Sequence, residues 1–156
     1  MLSAVPIASR FQLLGEVVAL CMNSRLHSRY AVNDLTNNLL PPLDLGQFRL
    51  YKRADQPVGL VTWAYLDEVT EARYSQQQYD LRLHDWNKGD RLWFIDFILS
   101  ADIMPQIEHD LKHRLFAEHT AKALRADASG RVYKVQEYHG ARYRAPDKDR
   151  GHLQMS

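Results

Sequence analysis

The chain has 156 residues, 46% of them hydrophobic and 25% charged, with 20 Lys and Arg against 19 Asp and Glu and a formal net charge of +1. That length fits one domain of ~100–200 residues with a sizeable core, and eight Tyr, five Phe and three Trp exclude a disordered chain. The near-neutral balance excludes a general nucleic-acid binder, which carries a clear basic excess, and no apolar run approaches the ~20 residues of a membrane span.

The N-terminal stretch MLSAVPIASRF is interrupted by Pro6 and Arg10. It lacks the charged start and apolar run of a secretory signal. Cys21 is the single cysteine. It cannot form an intrachain disulfide and excludes a multi-cysteine zinc site. A cytoplasmic protein is expected. No two of the seven glycines are spaced as GxG, and GxxxxGK is absent. Phosphate cradles need closely spaced glycines, so NAD, FAD and ATP chemistry is not expected, and a coenzyme A pyrophosphate loop gains no support.

In chain order, Phe11, Leu14, Val18 and Cys21 recur near 3.6, predicting a helix over 11–22. A polar knot follows over 23–29. Residues 32–40 read as a second helix, capped by Asn33 or Asp34 and stopped by Pro41-Pro42. Residues 47–52 and 58–66 read as a hairpin turning over 53–57. Residues 68–78 are polar, a helix or a long excursion. Residues 80–90 are a charged loop around Trp86. RLWFIDFIL over 91–99 is the most apolar run and reads as a central strand. Ile103, Ile107, Leu111 and Leu115 define a helix over 103–116. A second hairpin joins 120–125 to 131–138. The expected fold is a single α+β domain over 1–140, with a mixed, mostly antiparallel sheet flanked by helices and a polar basic tail over 141–156.

Asp96 is the first anomaly. A carboxylate inside an apolar strand is costly unless it is paired or hydrogen-bonded. Buried ionisable groups cluster at active sites, but a strand end facing solvent would explain it equally. His27 lies in the knot between two helices. Loop histidines serve as general bases because imidazole titrates near neutrality; many are merely structural. The pair is more telling than either member. A carboxylate on one imidazole nitrogen fixes the tautomer and leaves the other nitrogen basic. His109 and His113, with His119 beyond them, have metal-compatible spacing, yet HExxH is absent and charged neighbours suggest a solvated face; no metal is expected. Arg142, Arg144, Lys148 and Arg150 make the tail basic. Ser24 and Ser28 flank His27, but no GxSxG elbow marks either as a nucleophile.

Five blocks then resemble one family, the RTX toxin-activating lysine acyltransferases, in family order along nearly the whole chain. They are Leu14-Gly15-Glu16 with Asn23-Ser24-Arg25-Leu26-His27, then Asn38-Leu39-Leu40-Pro41. Gln56-Pro57-Val58-Gly59 with Thr62-Trp63-Ala64 comes next. The long block from Asp85-Trp86-Asn87-Lys88-Gly89 to Asp96 is the most specific. Val132-Tyr133-Lys134-Val135-Gln136-Glu137-Tyr138-His139-Gly140 closes the series. The resemblance implies a fold similar to the Gcn5-related N-acetyltransferases. It implies transfer of a fatty acyl chain from acyl carrier protein (ACP), as a phosphopantetheine thioester, to internal lysines of an RTX protoxin, with no cofactor bound. The family's essential histidine and aspartate fall on His27 and Asp96, and a supporting asparagine on Asn38. Homodimers are implied as well. Arg25, Arg29 and the basic tail are candidate contacts for an acidic carrier, and Trp63 and Trp93 for the acyl chain. Three positions depart from the family pattern: Arg25 replaces a proline, Tyr30-Ala31 replaces Trp-Pro, and Asp96 is followed by Phe97-Ile98-Leu99-Ser100. An acyltransferase acting on a small amine, or a non-catalytic toxin-binding adaptor, stays open at this point. The His27–Asp96 separation decides between enzyme and adaptor.

Overall fold

The structure is a computed structural model that describes residues 7–76, 79–127, 129 and 131–146. Helix α1 spans Ile7–Met22. A 3-10 turn over His27–Arg29 then leads into α2 (Val32–Asp34), a π-helical turn (Leu35–Leu39) and α3 (Leu40–Leu45). The predicted stop at Pro41-Pro42 is thus a continuation. The Leu40 N–H bonds to Leu35 C=O, a π-type bond that closes the first ladder before the prolines. Both prolines then sit at the start of α3, where a missing N–H costs nothing. Gly46 ends α3 in the left-handed region at φ 71°.

Strands β1 (Phe48–Arg53) and β2 (Gln56–Leu66) form the first hairpin. Its two turn residues, Ala54 and Asp55, both have positive φ, 49° and 65°, the twist that suits a two-residue hairpin. Helix α4 covers Glu68–Ser75, its first turn capped by Asp67. Strand β3 spans Arg91–Leu99, within the predicted bounds. Helix α5 (Met104–Asp110) runs on into a second π turn, Leu111–Leu115. Strands β4 (Thr120–Ala126) and β5 (Val132–His139) make the second hairpin. The result is one five-stranded sheet in the order β1-β2-β3-β4-β5. β3 and β4 are parallel, and the other neighbours are antiparallel.

Alternation along β2 sorts the two faces. Val61 and Trp63 pack with Ile103, Ile107, Leu111 and Phe116 on the α5 side. Leu60 packs with Val17, Leu20, Cys21 and Leu39 on the α1 side, and Ala64 and Leu66 continue that face against Trp86 and Trp93. Helices therefore cover both faces, with α1 to α4 on one and α5 on the other.

The loop before β3 is pinned rather than free. Trp86 is 1% exposed. Its C=O accepts from the Tyr65 N–H at 2.9 Å and from Gln47 Nε2 at 3.0 Å. The Lys88 and Gly89 amides both donate to Tyr65 C=O. At Gly89 a Cβ would lie 2.3 Å from Leu66 O, so only glycine allows this approach. Beyond β5, the Ala141 and Arg142 amides donate to the Lys112 and Ala117 carbonyls at 2.8 and 2.7 Å. Lys148 and Arg150 lie outside the described residues.

Candidate active site

The register between β2 and β3 slips at the position that matters most. Val61 pairs with Phe97 and Trp63 with Phe94. One residue on β2, Thr62, therefore faces two on β3, Ile95 and Asp96. A bulge of this kind turns a side chain out of strict alternation and is frequent beside active sites. Here it presents Asp96 to the α1 side. Thr62 Oγ1 accepts the Asp96 N–H at 3.1 Å, supplying the partner that the ladder lost.

His27 meets Asp96 from the other layer. Cys21 and Leu20 anchor the end of α1 in the core. The chain then turns sharply: the Ser28 amide bonds to Ser24 C=O at 2.8 Å and the Tyr30 amide to His27 C=O at 3.1 Å. This turn drives the imidazole inward, where its side chain is 5% exposed and that of Asp96 11%. His27 Nε2 lies 2.8 Å from Asp96 Oδ1. On the far side of the ring, Nδ1 lies 2.7 Å from Ser24 Oγ. The Ser24 oxygen also accepts the His27 backbone N–H at 3.2 Å. One tautomer satisfies all three contacts. The proton sits on Nε2 and points at Asp96, and the Nδ1 lone pair accepts the Ser24 hydroxyl. Ser24 was discounted in the sequence for want of an elbow motif. The signal that would have found it is its spacing, because a serine three residues before a turn residue accepts that residue's N–H.

Tyr30 packs edge-on against the imidazole, with ring centroids 5.0 Å apart. Its hydroxyl meets the Asn38 side chain, so Asn38 reaches His27 through Tyr30. Burial, followed by the charge of Asp96, pushes the Tyr30 phenol above its ordinary range. The same two causes act on Tyr74, and they raise the Cys21 thiol to about 11. Three groups held protonated by burial therefore share the α1 side of the sheet with this carboxylate. Trp93 is on this face and donates through Nε1 to Glu71 at 2.8 Å. Trp63 is on the opposite face, edge-on to Phe116 at 5.0 Å. Arg25 and Arg29 are exposed beside His27. His109 and His113 stack at 4.2 Å on the exposed side of α5, across the sheet from His27. Next to Asn38 opens a polar cavity of about 870 Å³, between the helical stretch 34–44 and the segment 79–83.

The model of the RTX toxin acyltransferase family matches residues 7–139. The chain belongs to that family. Relatives of this RTX toxin acyltransferase family member agree over most of its length. It is 35% identical over 136 residues to the RTX-I toxin-activating lysine-acyltransferase ApxIC of Actinobacillus pleuropneumoniae, covering 85% of this chain and 76% of the relative. It is 36% identical over 132 residues to the protein-lysine palmitoyltransferase CyaC of Bordetella bronchiseptica, covering 83% and 71%. It is 33% identical over 131 residues to the protein-lysine myristoyltransferase HlyC of Escherichia coli, covering 84% and 76%. Among the described residues of this family member, no helix is long and apolar enough to cross a membrane.

Proposed function

We propose that this chain is a protein-lysine fatty acyltransferase that moves an acyl chain from acyl carrier protein to internal lysines of an RTX protoxin. The observation that carries the reading is the chain of contacts Ser24–His27–Asp96, joined at 2.7 and 2.8 Å inside a member of this family. A lysine ε-amine attacks a thioester only after losing its proton. His27 takes that proton at Nδ1, with the Ser24 hydroxyl as the relay that already points there. The Asp96 carboxylate holds Nε2–H and stabilises the imidazolium that forms. The amine lone pair then attacks the thioester carbonyl, the C–S bond breaks, the pantetheine sulfur leaves as thiol with the relayed proton, and the new amide nitrogen gives its second proton to solvent. Both ring nitrogens of His27 are engaged, which favours proton transfer over an acyl-imidazole. Asn38 and Tyr30 hold the ring's orientation.

The fold reading is a Gcn5-related N-acetyltransferase type, and one feature of the sheet supports it. β3 and β4 pair only at Trp93–Lys122 and Phe94–Ala123. Beyond that point β3 stays with β2 and β4 with β5, which leaves a wedge beside Ile95 and Asp96. An extended thioester arm suits such a wedge, because its amides can take up the backbone groups that the strands leave there. Trp93 and Ile95 line this face, and Arg25 and Arg29 offer positive charge to an acidic carrier. The adaptor reading required Asp96 to face solvent far from His27, and the buried 2.8 Å contact weighs against it. Co-expression with an RTX protoxin and acyl carrier protein tests the function. Intact-mass analysis should find fatty-acyl increments on protoxin lysines. An unmodified protoxin, with the increment found instead on a small amine, would redirect the reading.

A further inference from the structure

The cavity beside Asn38 is unused by the dyad itself. It is about 870 Å³, the size of an occupied ligand cleft. Its wall combines Asp34, Asp44 and Asp80 with the amides of Asn37 and Asn38, and Arg82 is the cation among the residues that line it. Asp44 is tied to exposed Arg10 at 3.0 Å, and Asp34 accepts the Ala31 amide at 2.7 Å. Asp80 is exposed at the rim.

Tyr30 connects this cavity to the dyad. Its ring packs edge-on against His27 with centroids 5.0 Å apart, and the amide of the next residue, Ala31, donates to Asp34 of the cavity wall at 2.7 Å. From the other wall, Leu81 packs in one cluster with Trp93, Tyr74 and Ile95, the residue before Asp96. Charge of both signs surrounds His27 along the chain. Exposed Arg25 and Arg29 flank it within two residues, and the carboxylates line the cavity beyond Tyr30. An acidic carrier with its phosphodiester arm is repelled by these carboxylates, whereas an ammonium group is drawn to them. Lysine brings a compact charge on a flexible four-carbon stem, which can pass Tyr30 while its backbone stays in the groove.

We propose that the groove between 34–44 and 79–83 is the acceptor site, holding the lysine-bearing segment of the protein substrate, while the acyl donor enters from the Arg25–Arg29 side. This rests on the acyltransferase reading above. The test uses full-length protein, acyl carrier protein loaded with a fatty acyl chain, and a lysine-rich decapeptide blocked at both ends. Asp80→Lys should raise the KM for the peptide about tenfold at low salt, leave kcat within about twofold, and leave the donor KM unchanged; the rise should shrink as salt screens it. Asp44→Asn should act in the same direction, more weakly. Calorimetric binding of the peptide without donor should weaken in parallel. A rise in donor KM, or unchanged peptide KM and binding in both variants, would overturn the groove assignment. Wild-type protein that binds the peptide, with binding weakened by Asp80→Lys, yet transfers no acyl group would support the groove and sink the acyltransferase reading instead.

Discussion

His27 holds a position that few residue types can occupy. It is buried, bonded on both nitrogens and pressed by Tyr30. Removing one partner of a buried hydrogen bond to a carboxylate leaves the other unsatisfied, at a cost of at least about 1–3 kcal/mol, so conservative variants are the informative ones. Asp96→Asn keeps the shape but removes the charge that, in the proposed mechanism, stabilises the imidazolium. It should lower kcat by about 10²–10⁴, as expected when general-base catalysis is lost, with little change in KM. Steady-state kinetics on purified acyl carrier protein donor checks this, and a drop below tenfold would show that the carboxylate is structural. Ser24→Ala should retain fold and donor binding but slow transfer. Retention of the full rate would remove Ser24 from the proton path. At this scale the sequence exposes the misfits. A carboxylate in RLWFIDFIL and a histidine in a polar knot conflict with their surroundings and draw attention. Ser24 conflicts with nothing, and its role exists only once the 3-10 turn brings it onto Nδ1.

The bulge in β3 is the element on which the site depends. Without it, Ile95 and Asp96 would point to opposite faces. Thr62 sustains it by accepting the Asp96 amide. Thr62→Val keeps the shape and removes that acceptor. An unsatisfied buried N–H costs about 1–3 kcal/mol, and at roughly 2–4 °C per kcal/mol calorimetry should register a fall in Tm of several degrees. Transfer should fall as well, since Asp96 loses its aim. An unchanged Tm would mean that the bulge holds itself. Gly89→Ala should destabilise by at least the ~1–3 kcal/mol of ordinary overpacking, because the backbone of Leu66 and Asp67 blocks the new Cβ. The strands are legible as apolar runs between turn residues, and α1 as a helix, but its core face is Leu13, Val17, Leu20 and Cys21 rather than the stripe through Phe11, which is exposed, and it begins at Ile7. The bulge is not, since a one-residue slip leaves no mark on hydrophobicity. Pro41-Pro42 misled for a related reason. Proline ends an α ladder, but a π turn ahead of it closes that ladder first, and a new helix begins on the prolines.

Across the whole molecule, burial keeps several acids protonated on the α1 side of the sheet. Cys21 is held up to about 11, and Tyr30 and Tyr74 are raised too. These groups lose their protons more readily in the unfolded chain, so between about pH 9, the ordinary value for the thiol, and about 11 the folded state binds more protons. Stability must therefore fall as pH rises through that window. Thermal melts should give a flat Tm up to about pH 9 and a steady decline above it, and a constant Tm to pH 11 would contradict the burial of these groups. The native thiol should also react slowly with a disulfide reagent at neutral pH. The α+β class and strand sequence follow from apolar runs, turn residues and helical spacing along the chain. The arrangement of charge around His27 does not, because a formal net charge of +1 averages over the flanking arginines and the cavity carboxylates that only folding gathers.

Single-turnover transfer by His27→Ala tests the central claim most directly. The variant is mixed with acyl carrier protein bearing a labelled fatty acyl chain and with protoxin, and circular dichroism verifies that it is folded. Transfer to lysine should fall to the background seen without enzyme. A folded His27→Ala variant that acylates the protoxin at the wild-type rate would contradict the account.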